Sequence, residues 1–167
     1  GIVIHYTANP GTGAKANRDY FESRKDQEEI SSNKVSSHFV IGLKGEIVQC
    51  IPLDEIAYAS NDRNSDTISI ECCHPRKNGN YPRNDDTVSI ECCHPDSDGR
   101  FTDATIKSLI RLTGWLCREL SLNEKHIIRH YDVTGKLCPL YYVKHSDKWK
   151  KLREDIWNKV LDSQYKS

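Results

Sequence analysis

His130 and Cys138 stand eight residues apart, with Lys136 between them and Pro139 directly after. An imidazole and a thiol are borderline and soft metal ligands, and a loop over Asp132 to Leu137 would set them side by side. A third candidate, His5, lies near the end of the run Ile2-Val3-Ile4-His5-Tyr6. A histidine in an otherwise aliphatic strand needs a partner, because an unpaired buried imidazole is costly. Three such ligands suit tetrahedral zinc with one open position. On spacing alone a second reading stands beside it, with His5 a hydrogen-bonded core histidine and Cys138 a buried thiol.

The elements that must position these residues are readable from periodicity. Ile2 to Tyr6 is nearly continuous in apolar character, as a strand buried on both faces is. Asn9-Pro10-Gly11-Thr12-Gly13 breaks it as a loop. The spacing of Ala16, Tyr20 and Phe21 predicts a helix over Ala14 to Glu29. His38 to Gly42 and Glu46 to Ile51 flank Leu43-Lys44-Gly45 and predict a hairpin. Thr102 to Leu120 is the clearest helix: Ile106, Leu109, Ile110, Leu116, Cys117 and Leu120 form one stripe, and Thr102 or Asp103 can cap it. His126 to His130 predicts another strand. Ser146 is expected to cap a last helix with the stripe Trp149, Leu152, Ile156, Val160 and Leu161. Strands alternating with helices predict an α/β layered fold.

The middle of the chain repeats itself. Residues 62–81 align without gaps on residues 82–101 with 12 of 20 positions identical, including Ser-Ile-Glu-Cys-Cys-His-Pro as one block. Solenoids need about three or more copies, so two copies in an otherwise non-repetitive chain read as a tandem duplication of one strand unit. Seven cysteines, an odd number with two vicinal pairs, do not form a disulfide framework, and mostly reduced thiols are expected. Cys72, Cys73, His74, Cys92, Cys93 and His94 are a poor second metal site, because vicinal residues of a strand point to opposite faces.

A chain of 167 residues fits one domain spanning 1–167. Charged residues at 29% and apolar residues at 37% allow a core and exclude a disordered tail. Lysine plus arginine and aspartate plus glutamate are both 24, so no bulk positive charge recruits nucleic acid. No apolar run approaches the length of a membrane span and no leader opens the sequence, so synthesis in the cytoplasm is expected. Methionine is absent, which reads as a trimmed or processed domain, and a monomer is expected.

Taken in order, several segments resemble one family. They are Ile2-Val3-Ile4-His5-Tyr6-Thr7, Ser37-His38-Phe39-Val40-Ile41, Glu46 to Pro52, Ser-Ile-Glu, and Arg129-His130-Tyr131-Asp132 through Lys136-Leu137-Cys138-Pro139. They are similar to the zinc N-acetylmuramoyl-L-alanine amidases of the amidase-2 type, shared by phage endolysins, bacterial autolysins and peptidoglycan-recognition proteins. The resemblance implies a mixed central β-sheet flanked by helices, with Zn2+ at the end of the central strands. It implies hydrolysis of the amide joining N-acetylmuramic acid to L-alanine of the stem peptide, with bacterial peptidoglycan as partner and action on the cell wall after release or lysis. The alternatives are a non-catalytic peptidoglycan-binding module of the same fold, or a variant inactivated or altered by the strand duplication. Carried over by motif, the metal ligands are His5, His130 and Cys138, with water in the fourth position. Lys136 matches a family lysine that stabilises the tetrahedral oxyanion.

The same resemblance calls for a catalytic glutamate, and the duplication offers two, Glu71 and Glu91. In each copy the serine, the glutamate and the second cysteine share a face by alternation. With copy two in the sheet, the extra segment enters before the strand and leaves the zinc end open, which favours Glu91. Two departures stand out: Ser37 where phage-type enzymes often carry a tyrosine, and Tyr58 and Ser60 in Ile56-Ala57-Tyr58-Ala59-Ser60 where His-Ala-Gly is frequent. His38, His126 and His145 read as structural or solvated, and the basic stretch Lys144 to Arg153 as a solvated helix face.

Overall fold

A computed structural model describes residues 1–26, 35–59 and 87–164. Strand β1 (Ile2–Tyr6) runs parallel to β4 (Val88–Cys92) on one side and to β5 (Ile127–Arg129) on the other. Beyond β4 lies β2 (Phe39–Ile41), parallel to it and antiparallel to β3 (Ile47–Gln49) at the edge. The order β3-β2-β4-β1-β5 makes a mixed sheet with β4 and β1 innermost, as expected. Both inner strands are nearly buried on both faces, and one face is apolar throughout.

Alternation divides the sheet into two unlike faces. Ile2, Ile4, Phe39, Ile41, Val88, Ile90 and Cys92 point one way, into the main core. There they meet α2 (Asp103–Glu119) and α5 (Ser146–Gln164) through Leu109, Leu112, Leu116, Trp149, Leu152 and Ile156. Each fully buried aliphatic side chain contributes about 1.5–3 kcal/mol. The other face carries His5, Glu91 and Val40 in one row, since both His5 and Val40 are in register with Glu91. It is covered in part by α1 (Ala14–Glu22), whose Ala14 packs with Val40 and Cys93.

The hairpin of β2 and β3 is bolted to the start of α2. Thr102 caps the helix by accepting the Thr105 N–H at 3.0 Å, and its own hydroxyl donates to the Leu43 carbonyl at 2.8 Å. Thr105 and Ser108 donate to the Gly42 and Gly45 carbonyls. Gly45 has φ +81, and a Cβ there would lie 2.8 Å from the Ala104 carbonyl oxygen, so only glycine permits this contact.

Three expectations change at their ends. The first helix stops at Glu22 rather than Glu29, with Ser23 to Asp26 in turns, because the Ser23 hydroxyl folds back to the Tyr20 carbonyl at 2.6 Å. The strand expected over His126 to His130 is only Ile127–Arg129; a 3-10 turn precedes it and His130 opens helix α3 (His130–Thr134) inside the expected loop. A further short helix, α4 (Leu140–Lys144), follows Pro139. Ser146 is the first residue of α5, with the Trp149 N–H bonded to the His145 carbonyl, and Leu161 of the expected stripe is exposed.

Copy two of the repeat supplies β4. Copy one, with Glu71, Cys72, Cys73 and His74, lies outside the described residues. Cys92 and Cys93 point to opposite sides of the sheet, into different apolar clusters, and the described cysteines are free thiols.

Candidate functional site

The parallel pairing of β1 with β4 and β5 brings His5 and Glu91 together and delivers His130 beside them, one residue past the end of β5. His5 Nδ1 lies 3.1 Å from His130 Nδ1, 3.9 Å from Cys138 Sγ and 3.7 Å from Glu91 Oε1. The three ligand atoms of His5, His130 and Cys138 fall within 4.8 Å of one another, and all three residues are buried.

Donors at about 2.05 Å for nitrogen and 2.3 Å for sulfur around a tetrahedral zinc lie about 3.3 Å (N–N) and 3.6 Å (N–S) apart. The observed 3.1 and 3.9 Å come close to that spacing, with all three ligand atoms inside 4.8 Å. His5 Nε2 is buried with no hydrogen-bond partner among the described residues, so the ring's polar contacts are made through Nδ1. Burial, then the His130 and Lys136 charges, hold the His5 pKa well below its ordinary value, which keeps the imidazole neutral and able to donate a lone pair. Burial and the facing Glu91 carboxylate push the Cys138 thiol up to about 12, against the pull of the Tyr6 N–H and Lys136. A cation bound among these groups would therefore release the thiol proton.

Glu91 keeps 12% of its side chain exposed, at the mouth of the cluster. Burial raises its carboxyl to about 8, partly offset by the Lys136 charge. A carboxyl poised near neutrality beside a metal cradle is suited to proton transfer. Lys136 is exposed on the loop after α3 and acts on His5, Glu91 and Cys138 through its charge.

Local chemistry explains how the second half of the site is held. Arg129 and Asp132 close the start of α3: the Arg129 N–H donates to Asp132 Oδ2 at 2.9 Å, and the guanidinium donates to both carboxylate oxygens. The same guanidinium reaches the Tyr142 carbonyl at 3.0 Å and lies against the Tyr131 and Trp149 rings. Gly135, at φ +80, ends α3 in the left-handed conformation and turns the chain back toward the sheet. The Tyr131 N–H then bonds the Cys138 carbonyl at 2.9 Å, and the Tyr6 N–H reaches Cys138 Sγ at 3.5 Å. Arg129 and Asp132 are not among the site residues expected from sequence. Their i, i+3 spacing across a strand end was the available signal.

The remaining candidates fall elsewhere. His38 is buried, accepting the Ser89 N–H at Nδ1 and facing the Glu55 carbonyl through Nε2, both at 3.0 Å. His126 accepts the Asn123 N–H, and His145 stacks on Tyr141 at the entry to α5. The Ser37 hydroxyl is directed to the Phe39 and Ser89 carbonyls. The Tyr58 N–H donates to the Ser36 hydroxyl, while Ser60 lies outside the described residues.

A family profile described as N-acetylmuramoyl-L-alanine amidase (Amidase_2) matches residues 1–140. The chain is 33% identical to the N-acetylmuramoyl-L-alanine amidase CwlL of Bacillus licheniformis, over 93% of this chain and 40% of that protein. It is 31% identical to the N-acetylmuramoyl-L-alanine amidase BlyA of Bacillus subtilis strain 168, over 88% of this chain and 38% of that protein. It thus spans about two fifths of the length of these curated relatives. The structure of PlyL superposes with a TM-score of 0.69 at 21% identity, covering 93% of this chain and 81% of that one, a likeness of fold. The catalytic domain of XlyA superposes with a TM-score of 0.67 at 25% identity, covering 93% and 84%.

Proposed function

The chain belongs to the N-acetylmuramoyl-L-alanine amidase family, and from that premise we propose that it is a zinc-dependent peptidoglycan amidase whose residues 1–167 act as one catalytic domain. The observation that carries the reading is the convergence of His5, His130 and Cys138 at the carboxyl ends of the central strands, with Glu91 at the mouth. His5 and His130 would hold zinc through Nδ1 and Cys138 through its thiolate. Bound zinc supplies Lewis acidity that activates water toward an amide carbonyl.

The rest of the chemistry falls to this chain's own groups. Glu91 takes the proton of the attacking water at its carboxylate and returns it to the departing amine of L-alanine. Lys136, exposed beside the cluster, places a positive charge where the amide oxygen becomes negative. Arg129 and Asp132 hold α3, and with it His130 and the turn to Cys138. Bacterial peptidoglycan is the substrate, cut between N-acetylmuramic acid and L-alanine, with the chain acting as a monomer on the cell wall.

Incubation with purified peptidoglycan tests this directly: new L-alanine amino termini should accumulate, cease on chelation and return with added zinc. Full turnover with metal shown to be absent would end the zinc mechanism, and retention on walls without new amino termini would leave a binding module. Cys138→Ser is expected to lose zinc while keeping the fold. One tightly held zinc per chain in that variant would remove Cys138 from the ligand set.

A further inference from the structure

Helix α2 buries one side against the sheet and α5, and its opposite side carries a basic stripe. Lys107, Arg111, Trp115 and Arg118 are all exposed and follow one another at i, i+4, i+8 and i+11, which places them on one face. Among the described residues, Lys107, Arg111 and Arg118 have no carboxylate partner. By contrast, Lys15 and Arg18 on α1, and Lys148, Lys150, Lys151 and Arg153 on α5, each meet one. In a chain of zero formal net charge, unpaired cations gathered on one face give that face a local positive field.

The stripe is also shaped. Lys107, Ser108, Ile110 and Arg111, with Lys159 of α5, line a cleft of about 270 Å³. Gly114 faces the Lys159 side chain there, whose Cγ would lie in ordinary contact, 3.5 Å from a Cβ at that position. Trp115, 40% exposed, adds a flat apolar surface among the cations. An indole flanked by guanidinium groups suits a sugar face bearing anionic substituents: the ring packs on the C–H surface and the cations pair the charges. From Lys107 to Arg118 the stripe runs about 16 Å, longer than one anion and matched to a polymer.

We propose that the outer face of α2 is a second, non-catalytic docking surface for the anionic sugar–phosphate polymer of a bacterial wall. The assignment of that polymer rests on the wall as the site of action. The sheet lies between this face and the cluster of His5, Glu91, His130 and Cys138, so a strand held on α2 leaves the catalytic mouth free. The surface works as a retention device, keeping the domain on its insoluble substrate between cuts.

The test compares wild type, Lys107→Glu/Arg111→Glu and Trp115→Ala in co-sedimentation with walls that retain their phosphodiester polymer and with the same walls stripped of it by hydrofluoric acid. The charge-reversed variant should bind intact walls about tenfold more weakly at low salt, with a shallower salt dependence, and wild type should fall to the same level on stripped walls. Trp115→Ala should lose several-fold. Turnover of a soluble muropeptide should be unchanged in both variants, which also shows that they fold. Unchanged wall retention in the charge-reversed variant, or equal wild-type retention on stripped walls, overturns the proposal. Equal displacement by a DNA duplex at matched phosphate concentration overturns the choice of wall polymer in favour of any polyanion. A wild type that fails to cleave the soluble muropeptide counts against the amidase reading and leaves the retention comparison standing.

Discussion

The two faces of the central sheet are built from the same strands and differ in what they carry. In β1, Ile2 and Ile4 face the core under α2 and α5, while His5 faces the other way. In β4, Val88, Ile90 and Cys92 share that core, while Ser89 and Glu91 lie on the face with His5. One face is closed by two long helices with apolar stripes. The other is covered, among the described residues, in part by a nine-residue helix, and leaves Glu91 in contact with solvent. The main core lies on the first face and the proposed chemistry on the second, and a period of two residues separates them. Substitutions one position apart should therefore fail in different ways.

The largest effect is expected at Glu91. Glu91→Gln should lower amide turnover by about 10² to 10⁴ with zinc content and melting temperature nearly kept, whereas Glu71→Gln should change turnover little. Steady-state rates on purified peptidoglycan, with metal content measured alongside, decide between them. The reverse asymmetry would give copy one the catalytic carboxylate. Equal mild losses would remove the carboxylate base altogether. One position back, Ile90→Ala should cost about 2–5 kcal/mol in denaturant unfolding, with turnover per folded molecule preserved. A loss of rate without a loss of stability there would erase the division between the faces.

A smaller effect tests whether the Arg129–Asp132 clamp serves the site or only the fold. Asp132→Asn removes the charge and keeps the shape, and zinc affinity should fall by about 10- to 100-fold, measured by competition with a chelator. An unchanged affinity with a lowered melting temperature would make the clamp purely structural.

The smallest effect concerns His38, on the polar face but away from the cluster. Burial holds its pKa below the ordinary 6.5, against the Glu55 carbonyl, and Nδ1 accepts the Ser89 N–H only while neutral. The unfolded chain then binds the proton more readily, so this contribution is complete above pH 6.5 and is lost as pH falls through the folded-state value. Each unit of difference is worth about 1.4 kcal/mol. Unfolding measured between pH 7 and pH 5 should show a shallower loss in His38→Gln than in wild type. Identical slopes would show that His38 takes no part in the acid response.

What could be read from the chain alone was what local pattern encodes. Ile2 to Tyr6, the hairpin around Gly45, and the helices carrying Leu109, Leu116, Trp149 and Ile156 each declare themselves through periodicity, because burial of one face requires it. The ligand types and the motif from His130 to Pro139 were visible too, as was the need for one of two glutamates. The helices α3 and α4 were not visible: five residues hold too little periodicity, and α3 is closed at its start by the Arg129–Asp132 contact. Nor could spacing alone choose between a core histidine and a ligand at His5. That choice depends on strands 125 residues apart in sequence lying side by side, so that two Nδ1 atoms meet at 3.1 Å. Likewise both copies of Ser-Ile-Glu-Cys-Cys satisfy the same alternation, and local sequence cannot rank them. Only the packed sheet, with one slot between β1 and β2, decided that Val88–Cys92 stands there and sets Glu91 beside His5.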